Sequence, residues 1–441
     1  MGREQPEGRR VKLDEGRWVL GGGAGTQWRA VRALRAKQAL SELKALGAAA
    51  RKGPASLKHY ALDNAVSYLA SGPDSLLLFP ALDCWLSVGQ SFKTGERPAA
   101  EWELHFPFLQ NFAAAKAVLS GETKSFPVRV DPNARVHLSG THLYFEFPKA
   151  MAGKDALVEV SGGAVRAKGG TPKELTPITE SLWVDYRDPL ILQPVKVHGV
   201  LLPSAEKEAR FASVLSSAMG LIERFDAPLH QEISDFLRII VPLDNPGGMG
   251  SVSSSYRDLR GAFCLSHTED VLLQAETIVH EFCHQKLNLL FAVDPLLLPG
   301  QGGEIVYSPL RPDPRRLGGM LLGAHAFIGV GWFLIRALKE MSFSKQDRES
   351  VERNAAKRLF HTELMLRTLS GYGRLTEFGA RFTLRMWREL MLQYHEMLGF
   401  DPKAVAAARK SVGEHEGAFR LGDTGFHSGA ARDVLAKKGK K

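Results

Sequence analysis

Cysteine is scarce in this 441-residue chain: Cys84, Cys264 and Cys283 are the only three. An odd count without close spacing excludes a disulfide framework and points to a reducing compartment. The N-terminal stretch from Met1 to Arg17 lacks the apolar core of a secretory signal. Together these absences predict a cytoplasmic protein. No zinc-finger, RNA-recognition or helix-turn-helix pattern is present, so nucleic acid is not an expected partner. Internal repeats and low-complexity tracts are also missing. Only Lys437, Lys438, Lys440 and Lys441 form a tight charged run, which reads as a solvated tail.

What is there is ordinary globular material. Hydrophobic residues make up 44% of the chain and charged residues 24%, enough for a sizeable core. The net charge of +9 is spread along the sequence and argues weakly for acidic partners such as a peptide or small carboxylates. Gly318 to Ile335 runs without a formal charge and is about the minimum length for a membrane span. Its glycines and its central His325 make it a buried helix instead, and no membrane association is expected.

The coarse pattern predicts an α+β fold. Helical spacing covers 26–50, 57–70 and 107–119, and 76–88 is strongly apolar. Short alternating runs with glycine and asparagine turns predict strands over 127–147, 156–167 and 190–202. Helices are expected again at 206–225, 229–240, 269–292, 318–341, 344–370 and 376–398, with a short strand at 262–266 and an irregular stretch at 294–316. This divides the chain into a flexible N-terminus (1–20), a helical and β-rich region (21–203), a mainly helical metal-binding region (204–430) and a basic tail (431–441).

The chemistry centres on His280-Glu-Phe-Cys-His. Residues four apart on a helix share a face, so His280 and His284 can aim two imidazoles at one ion. Glu281 projects about 100° round the helix and is the general base of the bound water if the ion is zinc. Cys283 lies between the ligands on the wheel and reads as a core residue. A third ligand has to come from elsewhere. His325, on the apolar helix, is the first choice; Glu304 is the carboxylate alternative, which completes a two-histidine, one-carboxylate set. His361 and Glu363 are weaker candidates on a mixed helix expected to be exposed.

Three blocks carry a family resemblance. His280-Glu-Phe-Cys-His-Gln-Lys-Leu-Asn is similar to a signature HEFQHxKL; Tyr307-Ser-Pro-Leu-Arg-Pro-Asp-Pro-Arg to Y-x-P-W-R-x-D-P-R; and Leu317-Gly-Gly-Met-Leu-Leu-Gly-Ala-His-Ala-Phe-Ile-Gly-Val to L-x-G-L-L-x-G-x-Y-A-F-x-G-V. In order and spacing they resemble the HExxH family of peptide-modifying proteins, described as α-ketoglutarate-dependent peptide β-hydroxylases of gene clusters for ribosomally made, post-translationally modified peptides (RiPPs). The close match covers about 60 residues, 276–335, and departs at Cys283, Leu310, Arg316 and His325.

The resemblance implies a dioxygenase that uses Fe(II) rather than zinc, with α-ketoglutarate and O₂ as co-substrates and a precursor peptide as partner. The co-substrate's distal carboxylate then calls for an arginine fork, for which Arg311 and Arg315 are the candidates. Ser253, Ser255 and Tyr307 can add hydrogen bonds, and Glu281 becomes a support for a histidine or substrate. The alternatives are an HExxH zinc metallopeptidase and a non-catalytic peptide-binding module.

Overall fold

The computed structural model describes residues 25–50, 58, 60–98, 101–195, 199–245, 250–291 and 293–419. The expected flexible N-terminus and basic tail lie outside the described residues. The fold class is α+β, with helices concentrated in the C-terminal half and strands in small sheets. Two compact units are present, and they interleave. Among the described residues, one comprises those within 32–217 and 234–271; the other comprises 25–31, 218–233 and those from 272 to 419. The division expected at 203/204 is therefore not the one observed.

In the unit built from 32–217 and 234–271, helices come first: α1 (Gly25–Ala50, most of which belongs here), α2 (Leu62–Leu69), α3 (Asp74–Leu77), α4 (Pro80–Lys93), α5 (Trp102–His105) and α6 (Leu109–Ser120). Strands β1 (Lys124–Arg129), β4 (Asp155–Ser161) and β5 (Ala164–Ala167) form one antiparallel sheet, and β2 (Arg135–His137), β3 (Leu143–Glu146) and β6 (Thr171–Glu174) a second. Alternation does the work in β4, where Val158 and Val160 are buried and Leu157 and Glu159 are not. The turn from β4 to β5 is Gly162-Gly163, both at positive φ, which is why two glycines stand there. The core joins Trp85, Phe112, Val128, Phe145 and Val158.

A five-stranded sheet runs in the order β10 (Ser253–Ser255), β11 (Ala262–Ser266), β9 (Ile239–Leu243), β8 (Leu182–Val184), β7 (Thr176–Thr179). Its centre corrects the sequence reading. Ile239 and Ile240, expected at the end of a helix, open β9, because α9 (Ala227–Phe236) stops first. All five β9 residues are buried, β9 pairs in parallel on both sides, and Pro242 removes a helical donor. The expected strand at 190–202 is corrected likewise. Pro189–Leu192 is a helical turn, α7, capped by the Asp188 side chain, which accepts from Leu190 N at 2.9 Å.

The other unit is helical. After α8 (Ala205–Phe225) and α9, which straddle the unit boundary, come α10 (Val271–Leu290), α11 (Leu317–Glu340), α12 (Lys345–Tyr372), α13 (Glu377–Met397) and α14 (Pro402–Phe419). Among the described residues α11 is the one helix long and apolar enough to cross a membrane, and 72% of its most apolar window is buried. Its glycines explain that burial. A Cβ at Gly323 would stand 2.8 Å from Met365 Sδ, one at Gly329 2.6 Å from Cys283 Sγ, and one at Gly331 2.8 Å from Gln393 Oε1. The helix is thus gripped by α12, α10 and α13 at once. The stretch between α10 and α11 is mostly irregular as expected, with one small hairpin, β12 (Ile305–Val306) against β13 (Arg315–Arg316).

Candidate metal centre

Helix α10 is held rigidly. Lys286, 1% exposed, places Nζ 2.7 Å from the buried Glu232 carboxylate. One turn or more away on the same helix, Glu276 accepts from Arg358 Nη2 at 2.8 Å and from Asn354 Nδ2 at 2.8 Å. These buried, paired charges fix the helix to α9 and α12, and breaking such a pair is costly.

On this platform one ring nitrogen each of His280 and His284 and a carboxylate oxygen of Glu281 lie within 4.8 Å of one another. The histidines keep partial exposure, while Glu281 is buried. Burial, joined by the neighbouring His284 and the Arg358 guanidinium, holds His280 well below the ordinary imidazole value. Burial also lowers His284, against the opposing charge of Glu281 and a hydrogen bond to the Leu322 backbone. Both rings are therefore neutral, the state that ligates a metal. His284 Nδ1 is buried without a hydrogen-bond partner. An imidazole tied to backbone on α11 with an unpartnered buried nitrogen left over is what a ligand position requires. The residues fit a divalent ion.

His325 does not join them. Its Nδ1 lies 3.1 Å from the Cys283 carbonyl and its ring packs on Phe382 of α13, at 5.7 Å between centroids. On α11, whose Leu322 backbone holds His284, the Phe327 ring stands 5.1 Å from the His280 ring. Positions 325 and 327 differ by about 200° round a helix, so both cannot face the pair. Among the described residues neither Glu304 nor Glu363 belongs to the cluster. Glu363 is taken by Tyr394 Oη and Arg367. The expectation of an exposed His361 is corrected: it is 3% exposed, burial pushes it down to about 3, and its Nδ1 has no partner. Phe327 stands beside it, at 6.1 Å. Cys283 is a core residue as expected, its thiol pushed up to about 12 by burial.

The other candidates are distributed as follows. Arg311 is exposed, its backbone N–H held by Ser308 Oγ at 3.2 Å. Arg315 pairs loosely with Asp313 at 3.4 Å; burial and the adjacent Arg311 lower it. Tyr307 is buried and its hydroxyl lies 2.7 Å from His415 Nδ1. Ser253 and Ser255 sit on β10, an edge strand of the other unit.

Sequence reasoning missed Arg358, which stacks over Phe327 at 4.8 Å, and His415 on α14. A start signal for α14 was present: Asp401 precedes Pro402, and its carboxylate accepts from Lys403 N at 2.7 Å. No family model matches the chain, and no curated protein matches it either.

Proposed function

We propose that the chain is an Fe(II)- and α-ketoglutarate-dependent dioxygenase that hydroxylates the β-carbon of a residue in a ribosomally made precursor peptide. The observation that carries this reading is the donor set itself: two imidazoles and one carboxylate, His280, His284 and Glu281, within reach of one ion. That composition is the one used by non-haem iron oxygenases, which keep positions open for a co-substrate and dioxygen. The three sequence blocks shared with the HExxH peptide β-hydroxylases point the same way.

When bound, the iron supplies the oxidising chemistry, at the expense of α-ketoglutarate, which leaves as succinate and carbon dioxide. The chain's residues position the reactants. His280 and His284 bind as neutral rings, and the hydrogen bond to the Leu322 backbone fixes the orientation of the second. Glu281 brings the negative charge that favours a divalent ion. Phe327 covers one side of His280 and excludes water there. Arg311 and Arg315, neither committed to a buried acid, offer guanidinium groups to the distal carboxylate of the co-substrate. Tyr307 adds a hydroxyl already oriented by His415.

The test is succinate formation. Protein loaded with Fe(II) under anaerobic conditions should release succinate from α-ketoglutarate when O₂ is admitted, faster with a substrate peptide present. Arg315→Ala should raise the KM for α-ketoglutarate about tenfold or more, the loss of roughly 1.5–3 kcal/mol for a charged hydrogen bond, with kcat little changed. Peptide cleavage by a zinc-loaded protein without O₂ or α-ketoglutarate would establish the peptidase reading instead, with Glu281 as the base.

A further inference from the structure

A second set of metal-ligating side chains lies in the unit built from 32–217 and 234–271, outside the HExxH motif. A ring nitrogen of His137 and one oxygen each from Asp185 and Asp188 stand within 4.8 Å of one another. The three residues are 5%, 3% and 2% exposed. His137 is the last residue of β2, Asp185 follows β8, and Asp188 caps α7, so three separate elements converge.

Capping explains part of the arrangement. Asp185 Oδ1 accepts from Arg187 N at 2.8 Å and Asp188 N at 3.2 Å. Asp188 Oδ1 accepts from Leu190 N, and its Oδ2 from Ser139 Oγ at 2.7 Å. Capping does not explain His137. Its Nε2 is buried and has no hydrogen-bond partner, and among the described residues no ion pair joins the imidazole to either carboxylate. Nearby, Asp131 is 1% exposed and leaves Oδ2 buried and unpartnered as well. Burial, against the charge of His137 and with that of Asp188, pushes Asp185 up, and burial pushes Asp188 up, while burial pushes His137 down against the charges of Asp185 and Asp131. The two arginines that act on His137 already have acids of their own: Arg135 pairs with Glu146 at 3.5 Å and Arg187 with Glu208 at 2.7 Å.

Two buried carboxylates whose nearest counter-charge is an imidazole that burial itself disfavours charging are expensive, and a buried imidazole nitrogen without a partner adds to that cost. A divalent ion placed among the three donors would remove both penalties. Donors sharing such an ion at about 2.0–2.2 Å stand roughly 3–4 Å apart, so only a small contraction is needed. Ligating carboxylates are themselves held by outer hydrogen bonds, as Asp185 and Asp188 are here. We propose that His137, Asp185 and Asp188 bind a second divalent cation of the zinc or manganese class, separate from the HExxH ion and structural in role. It would tie β2, the end of β8 and the start of α7 together. All three donors are buried, and Tyr144 stacks on His137 at 5.3 Å, which suits a structural ion.

The site is independent of the proposed catalytic ion, and the test separates them. Full-length wild-type protein and the His280→Ala/His284→Ala variant are dialysed against Zn²⁺, desalted and analysed for metal. The wild type should hold two ions per chain and the variant one, and Zn²⁺ should raise the variant's Tm by several degrees. Adding Asp185→Asn, or His137→Gln if that variant does not fold, should remove the remaining ion. A variant that holds none and melts identically with Zn²⁺ or chelator, or a residual ion indifferent to Asp185→Asn and His137→Gln, would each overturn the proposal. Should the double variant itself not fold, the wild type decides: Asp185→Asn or His137→Gln should each cost it one ion, and an unchanged count would overturn the proposal.

Discussion

His280 and His284 converge because the helical repeat brings every fourth residue to one face, and that much is written in their spacing. The third member is a different matter. His325 was the natural sequence candidate, yet which side of α11 meets α10 depends on packing that spacing cannot express. Gly329 and Leu322 turn toward α10, Phe327 turns toward His280, and His325 is left to bind the Cys283 carbonyl. The motif admits Glu281 as a base or a support, and its carboxylate lies within 4.8 Å of a nitrogen of each histidine. Two outcomes follow at this scale. His280→Ala or His284→Ala should abolish metal retention at the motif, as measured by metal analysis of the Asp185→Asn background. His325→Ala should keep the ion and instead cost about 2–5 kcal/mol in urea denaturation, by leaving a cavity where the buried ring packs on Phe382. Loss of the metal in His325→Ala, with the fold intact, would return it to the ligand set.

At the scale of elements, type was readable where a period ran long. The helices 26–50, 344–370 and 376–398 appear within two or three residues as Gly25–Ala50, Lys345–Tyr372 and Glu377–Met397. Short apolar runs misled, since four or five buried residues carry no period of their own. Ile239–Leu243 is a strand because parallel neighbours cover it on both sides, and Pro189–Leu192 a helix because Asp188 caps it. The absence of charge over Gly318–Ile335 in α11 signalled burial; the reason for its glycines lies in close approach. At Gly329 the facing atom is Cys283 Sγ, so the cysteine and the glycine are two halves of one contact. Gly329→Ala should destabilise by about 1–3 kcal/mol, partly offset by improved helix propensity. Cys283→Ala on that background should recover part of the loss. Additive effects in a double-mutant denaturation cycle would contradict the contact.

For the whole molecule, the interleaving of the two units is the feature that sequence did not reveal. Residues 234–271 return to the N-terminal unit before the motif helix begins. The strand β9 that they bring is paired with β8 from 182–184, so the connection is long-range and leaves no mark in local pattern. A fragment of 204–441, cut at the boundary that composition suggests, should lack a cooperative urea transition, because β9 and β11 are then without β8. Acid should also destabilise the intact chain. Burial holds His105 and His361 down to about 3. Between the ordinary imidazole value of about 6.5 and that level the unfolded chain takes up protons that the folded chain does not. Stability from these groups is complete above about pH 6.5 and is lost as pH falls toward 3. The urea midpoint should decline over that interval, less steeply in His105→Gln, whose ring bonds Trp85 O at 2.9 Å.

The central claim is that His280, Glu281 and His284 hold a ferrous ion that accepts α-ketoglutarate. The most direct measurement is the visible spectrum of the anaerobic protein during addition of Fe(II) and then α-ketoglutarate. A charge-transfer band that saturates at one α-ketoglutarate per chain, and is absent from His280→Ala and His284→Ala, is the predicted result. No band from folded, iron-loaded wild-type protein, or the same band in both variants, would contradict it.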